Sequence, residues 1–489
     1  MLLLRFMQRL KCWSLRKMCH MQKRQNCNIA DITHTSSGAH SSWYIKKPRV
    51  IVQFNRRSEP EPNGSKRCYH KMLLKSCLLL LLCGVVALSA TNYDGYKIYD
   101  VNARNNFEKQ LMLRLSQNEE YDFFDLPREA DAATRIMVQP KDQSSFEDML
   151  SHFNLDYSIV DENFGATLEK EQLENQSQRL MTARSTSRSV GFTAFHRFAE
   201  INAYLDELAK AYPSRVSVQT VGKSYEGRDL KTITITNGDG KTGKNVVFLD
   251  AGIHAREWIA HAGALYVIHQ LAENFAANAD LLKNYDWVIL PVVNPDGYEY
   301  THTTTRLWRK TRKPAGTCSG TDANRNFDFH WGEVGASSSS CADTFKGVTA
   351  FSEPETQIVR DLLLDLTGRG KFYLTLHSYG NYLLYPWGWT SALPSDWKII
   401  DEVAQAGADA IRSSTGTRYS VGSSTNVLYA AAGGSDDYAF GVAGFPISIT
   451  MELPAGGTGF NPTTAQILPF VTETWTGIRA MALKVIDKY

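Results

Sequence analysis

Residues 189–489 carry four near-continuous apolar runs: Val246-Val-Phe-Leu-Asp250, Trp287-Val-Ile-Leu-Pro-Val-Val293, Phe372-Tyr-Leu-Thr-Leu376 and Pro446-Ile-Ser-Ile-Thr-Met451. Between and after them, apolar positions recur at helical spacing over 257–276, 354–369, 396–415 and 464–488. Strands this apolar are buried on both faces, and helical crossovers between them imply parallel pairing. The expected fold is α/β, with a mixed, mostly parallel central sheet flanked by helices. In such sheets functional groups gather beyond the carboxyl ends of the strands.

The pattern upstream is different. Tyr96–Val101 reads as a strand, Asn105–Gln117 as a helix, Tyr121–Leu126 and Thr134–Val138 as strands, Ser144–Phe153 as a helix and Asp156–Val160 as a strand. The order β-α-β-β-α-β predicts a small α+β domain of the split-βαβ kind. A polar helix rich in Glu and Gln follows over Leu168–Thr182. It runs into Ala183-Arg184-Ser-Thr-Ser-Arg188-Ser189, an exposed linker that a trypsin-like protease can cut at Arg184 or Arg188.

Met72 to Ala90 has the anatomy of a secretory signal: a lysine, a leucine-rich stretch too short to span a membrane comfortably, then small residues. The alternative is an internal signal anchor, since 71 residues precede it. Those residues show neither period, and they are read as an over-extended start upstream of Met72; a genuine basic extension is the alternative. The expected map is therefore 1–71 uncertain basic extension, 72–90 signal peptide, 91–188 prosegment and 189–489 main domain.

The net charge of +2 hides a split. Residues 1–71 hold 15 Lys+Arg and 3 Asp+Glu, which leaves 38 and 48 for the rest. A body this acidic is not expected to bind nucleic acid. The chain is expected to be extracellular, free of the membrane once its signal is removed, and monomeric. Six of the eight cysteines precede residue 84. The remaining two, Cys318 and Cys341, flank a Gly/Ser/Thr-rich loop and read as a disulfide in an exported chain. Closing such a loop contributes about 3 kcal/mol in the chain-entropy model. Asn175-Gln-Ser177 is a glycosylation sequon on the prosegment; Asn461-Pro-Thr is excluded by its proline.

Candidate chemistry sits at the strand ends. The run 246–250 leads into Ala251-Gly-Ile-His254-Ala-Arg256-Glu257, and the run 372–376 leads into His377-Ser378-Tyr379. Two His and one carboxylate match a catalytic zinc set with a fourth position left for water, although a lone His at a strand end is more often structural and a His-x-x-Glu spacing arises readily by chance. Glu452 directly follows the run 446–451, where a carboxylate is costly unless it is exposed or used. Asn324-Arg325 offers a donor and a bidentate partner for a carboxylate, or a structural turn. Trp308-Arg-Lys-Thr-Arg312 supplies cations, or a solvated loop. No Gly-x-Ser-x-Gly elbow is present to suggest a nucleophilic hydrolase.

Over 91–489 these pieces resemble the zinc carboxypeptidases of the pancreatic A/B type, prosegment included. The resemblance rests on His-Ala-Arg-Glu-Trp at 254–258, Asn-Pro-Asp-Gly-Tyr at 294–298, Trp-Arg-Lys-Thr-Arg at 308–312, Asp-Ala-Asn-Arg-Asn at 322–326, His-Ser-Tyr at 377–379 and Gly-Gly-Ser-Asp-Asp at 433–437. It implies one zinc ion per catalytic domain on His254, Glu257 and His377, with Glu452 as general base. It implies that Arg312 is the cation that polarises the scissile carbonyl. By the same resemblance Asn324 and Arg325 grip the substrate's terminal carboxylate, and Tyr429 folds over the bound residue. Arg256 and Tyr379 match secondary substrate contacts, and Cys318–Cys341 matches the family's disulfide. The substrates implied are peptide and protein carboxyl termini, and the partner implied is a trypsin-like activating protease.

The residue after Gly-Gly-Ser lies at the base of the family's specificity pocket. Here it is Asp436, with small residues Gly388 and Ser424 at other pocket positions. A buried carboxylate favours a cation, so a preference for terminal Lys or Arg is expected. Asp436 and Glu452 are one residue further apart than in the family pattern, which keeps an A-type preference for aromatic or aliphatic termini open. A secreted binding homologue without activity is the further alternative.

Overall fold

The computed structural model describes residues 91–489, apart from 117, 119, 127–132 and 185–189. The expectations for 1–71 and for a signal at 72–90 lie outside the described residues.

The first unit contains β1 (Lys97–Asn102), α1 (Asn106–Leu115), β2 (Tyr121–Phe123), β3 (Ala133–Val138), α2 (Gln143–His152) and β4 (Asp156–Asp161). Its sheet has the order β2-β3-β1-β4 and is antiparallel throughout. This is the split-βαβ arrangement. Asn105 starts α1 by accepting the Glu108 N–H at 3.0 Å, the usual role of an N-cap. Alternate residues of β1 and β3 (Tyr99, Val101, Ile136, Val138) meet Met112, Phe146 and Leu150 from the helices in one small core. The polar helix is longer than its pattern suggested: α3 spans Phe164–Arg184. Arg184 therefore closes a helix instead of lying in an open linker, and Arg188 lies outside the described residues.

The second unit is built on an eight-stranded sheet. Its strands are β5 (Val216–Lys223), β6 (Asp229–Ile235), β7 (Asn245–Ala251), β8 (Tyr285–Leu290), β11 (Gly370–Ser378), β12 (Tyr382–Tyr385), β13 (Ser420–Ser423) and β14 (Ile447–Leu453), ordered β13-β12-β14-β11-β7-β8-β6-β5. A two-residue ladder, β9 (Pro314–Ala315) with β10 (Cys318–Ser319), lies in the disulfide loop. The central strands β8, β7, β11 and β14 are parallel, and antiparallel pairs stand outside them. Helices α4 (Phe198–Ala211), α5 (Trp258–Ala272), α6 (Pro295–Thr303), α7 (Pro354–Asp365), α8 (Trp397–Thr415), α9 (Ser424–Val427), α10 (Ser435–Gly441) and α11 (Thr464–Lys488) complete the unit.

The period-2 geometry of β7 explains why the sheet is covered on both sides. Val247 and Leu249 enter a core with Leu265, Ile268, Val403 and Ile478 from α5, α8 and α11. Val246 and Phe248 enter the opposite core with Val359, Leu363, Tyr438 and Phe445. Each such buried side chain stabilises the fold by roughly 1.5–3 kcal/mol. Gly252 then turns the chain out of β7 at φ +71°, and a Cβ there would lie 2.1 Å from Nε2 of His261. Only glycine fits a left-handed turn packed this closely.

The prosegment expectation about Asn175 needs correction. Its side chain is buried and pairs both ways with the Phe195 backbone: Phe195 N–H to Oδ1 at 2.7 Å, and Nδ2 to the Phe195 carbonyl at 3.3 Å. In the folded chain the sequon's amide is committed to packing α3 against the main unit.

Candidate active site

The parallel strands β7, β11 and β14 end at one place. His254 and Glu257 stand in the turn between β7 and α5, His377 near the end of β11, and Glu452 level with His377 on β14. Nδ1 of His254 lies 2.8 Å from a Glu257 oxygen and 3.1 Å from Nδ1 of His377, whose Nδ1 is 3.2 Å from the other Glu257 oxygen. All three side chains are buried. Two imidazole nitrogens and a carboxylate, all buried and turned toward one point, repel one another unless a cation joins them; the donor set fits zinc.

The far side of His254 is held as well. Its Nε2 donates to Oδ1 of Asp322 at 3.1 Å, a carboxylate behind an imidazole that fixes the ring and its tautomer. Burial pushes the Asp322 carboxyl up, but Arg309, His254 and Arg325 outweigh it and hold it well below the usual range. Asp322 was not foreseen as a site residue, although it opens the quoted Asp-Ala-Asn-Arg-Asn motif.

A cleft opens over this cluster. Its walls include Glu452, Asn324, Arg325, Tyr379, Tyr429 and Asp436, so six expected side chains come together. Asn324 and Arg325 sit in a short 3-10 turn (Ala323–Arg325), started by Asp322 accepting the Asn324 N–H at 3.0 Å. The Arg325 guanidinium is oriented by the Gly335 carbonyl at 3.0 Å and the Asn324 carbonyl at 2.8 Å.

The cation expected at Arg312 is a correction. The Arg312 guanidinium stacks on Tyr300 at 3.6 Å and on Trp308 at 4.5 Å, and it faces Glu226 outside the cleft. Arg309 faces the cleft instead, with Nη2 2.9 Å from Asp322 and Nη1 3.8 Å from Glu257. The two arginines are three apart in one loop, and the aromatic shelf of Tyr300 and Trp308 captures the second.

Arg256 lies beside the cleft and not in its lining. It is buried over the Phe460 ring at 4.4 Å, with Asp343 at 3.3 Å on one side and Asp122 of the first unit at 3.6 Å on the other. Phe124 and Asp125 of the first unit line the cleft itself. Sequence reasoning missed both. They follow directly on β2, the strand at the edge of the small sheet.

In the cleft's lining Asp436 is 7% exposed. Oδ2 accepts from Thr450 Oγ1 at 3.1 Å and from Ser424 Oγ at 3.4 Å, and Oδ1 accepts the Asp437 N–H at 3.0 Å. Among the described residues its hydrogen-bond partners are hydroxyls and a backbone N–H, with no cation. Asp437 points away and accepts from the Gly388 and Trp389 N–H groups. Burial, then the neighbouring Asp436 charge, push Asp437 well above the usual carboxylate range. Cys318 and Cys341 are bonded across the loop that precedes Asp343.

Comparison with known proteins agrees with this arrangement. Residues 201–477 match the family model described as zinc carboxypeptidase, and residues 99–171 match the one described as carboxypeptidase activation peptide. A carboxypeptidase B from Astacus astacus is 47% identical over 302 residues, covering 61% of this chain and 99% of the relative. Zinc carboxypeptidase A 1 from Drosophila melanogaster is 38% identical over 429 residues, covering 85% and 98%. The crystal structure of a carboxypeptidase A from Helicoverpa armigera superposes with a TM-score of 0.75 at 36% identity, covering 81% of this chain and 99% of that one.

Proposed function

The chain belongs to the zinc carboxypeptidases and carries their activation peptide, and from that premise we propose that it is a secreted zymogen whose activated form removes carboxyl-terminal Lys or Arg. The observation that carries the specificity is Asp436, a nearly buried carboxylate in the cleft's lining held by hydroxyls. Such a group is costly until it meets a cation, and a substrate's guanidinium or ammonium supplies one.

His254, Glu257 and His377 would hold the zinc, which when bound would supply Lewis acidity and an activated water. Glu452 accepts the proton of the attacking water and later delivers it to the departing amine. Arg309 faces the oxygen of the scissile carbonyl, where charge develops, the largest electrostatic contribution in such sites. Arg325 and Asn324 bind the free terminal carboxylate, so an internal residue leaves a buried Arg unmatched. Tyr429 closes over the residue to be removed.

Latency follows from Phe124 and Asp125 in the cleft and from Asp122 against Arg256. We assign 91–188 to the prosegment and 189–489 to the enzyme, with release by a trypsin-like protease at Arg184 or Arg188. No described helix is long and apolar enough to cross a membrane. Hydrolysis of peptides ending in Arg and in Phe by the trypsin-treated chain tests the specificity. A preference for Arg that Asp436→Asn abolishes supports it; a preference for Phe overturns it in favour of the A-type reading.

A further inference from the structure

We infer that Asp250 is a second specificity-setting carboxyl, placed behind Asp436 and acting on the cation that enters the pocket; this rests on the Lys/Arg reading above. Asp250 lies in β7 and is fully buried. Strand register places it level with Thr375 of β11, and Thr375 level with Thr450 of β14. Level residues of neighbouring strands share a face of the sheet. The three thus form one buried polar row that ends at the hydroxyl bonded to the Asp436 carboxylate.

A second pair of level side chains flanks the same two residues. Tyr373 donates to Oδ2 of Asp250 at 2.7 Å and is level with Ser448, whose hydroxyl donates to the Asp436 carbonyl at 2.8 Å. Burial pushes the Asp250 carboxyl up to about 6; Thr375, Tyr373 and the His377 charge oppose this, and the Asp436 charge adds to it. The strand register thus sets the two carboxyls at the two ends of one buried polar row. Neither the metal cluster nor the terminal-carboxylate site makes a hydrogen bond to Asp250 among the described residues. A carboxyl in this position deepens the negative potential at the pocket base, where low polarity strengthens its pull on an entering cation.

The test uses the full chain activated with trypsin. It measures kcat and KM for peptides ending in Arg and in Leu, together with bound zinc, in wild type, Asp250→Asn, Asp436→Asn and the double variant. Asp250→Asn is expected to lower the Arg:Leu ratio of kcat/KM about ten-fold, chiefly through KM, as loss of a buried partner charge does. The double variant is expected to fall short of the product of the single effects, because both act on one cation. Tyr373→Phe keeps both carboxyls but removes the donor, and is expected to lower the same ratio by less; this variant decides the matter if Asp250→Asn does not fold. An unchanged ratio in wild-type-like, zinc-loaded variants overturns the inference, as do equal losses on both substrates or multiplicative single effects. A wild type that prefers Leu overturns the Lys/Arg reading and this inference together. A wild type that prefers Arg, with Asp250→Asn unchanged, overturns this inference alone.

Discussion

Arg306, in the loop after α6, forks onto Glu171 of α3, with Nε and Nη2 reaching the carboxylate at 2.9 to 3.2 Å and both side chains buried. The pair joins the mature unit to the activation helix. Removing one partner of a buried pair costs about 3–5 kcal/mol, because the other is left unmatched. Glu171→Ala is therefore expected to weaken docking and to raise the activity of the uncut chain at least several-fold, measured before any protease is added. No gain would show that docking rests elsewhere, for example on Asn175 and Phe195.

The exchange of roles between Arg309 and Arg312 separates cleanly by mutation. Loss of one donor to a developing oxyanion lowers kcat by about 10²–10³, so Arg309→Ala is expected to lose that much while binding zinc. Arg312→Ala removes a cation stacked on Tyr300 and Trp308 outside the cleft, and kcat should stay within a few-fold. Steady-state kinetics on the activated variants decides; equal losses would contradict the assignment.

Asp322 makes a prediction about the metal itself. Losing an outer partner of a ligating histidine typically costs 10–100-fold in metal affinity. Asp322→Asn is expected to release zinc to a chelator at correspondingly lower concentration, and retention as tight as wild type would contradict its role behind His254.

His254, His377 and Glu452 show what the sequence made legible. The apolar runs that became β7, β11 and β14 mark buried parallel strands, and they led directly to His254, His377 and Glu452 at their ends. The outer strands β5, β6, β12 and β13 carry no such run, because β5 and β6 mix apolar with polar residues and β12 and β13 have only four residues each, and they were not foreseen. Asp322 and Arg309 lay inside motifs already singled out, but a motif does not say which side chain an aromatic shelf captures. Phe124 and Asp125 belong to a different unit, and only tertiary docking brings them into the cleft.

Glu355 at the start of α7 gives a pH prediction. Burial, with the Asp296 and Glu353 charges adding, pushes it up to about 7 against the opposing Tyr225 N–H. The folded chain thus keeps a proton that the unfolded chain gives up near the ordinary carboxylate value. The stability this group contributes is full below that value and is lost as pH rises through about 7. Glu355→Gln keeps an acceptor for Tyr225 and removes the titration. Its melting temperature should exceed wild type at pH 8 and not at pH 4, by an equivalent of up to about 3 kcal/mol. A pH-independent difference would contradict this.

The most direct measurement follows one peptide ending in Arg by mass spectrometry after incubation with the chain. The expected result is loss of that one residue with the trypsin-treated chain. There should be no loss with the uncut chain, after zinc chelation, or when the peptide's carboxyl end is amidated. Cleavage of the amidated peptide, or full cleavage in the presence of the chelator, would contradict a zinc carboxypeptidase that grips a free terminus through Arg325.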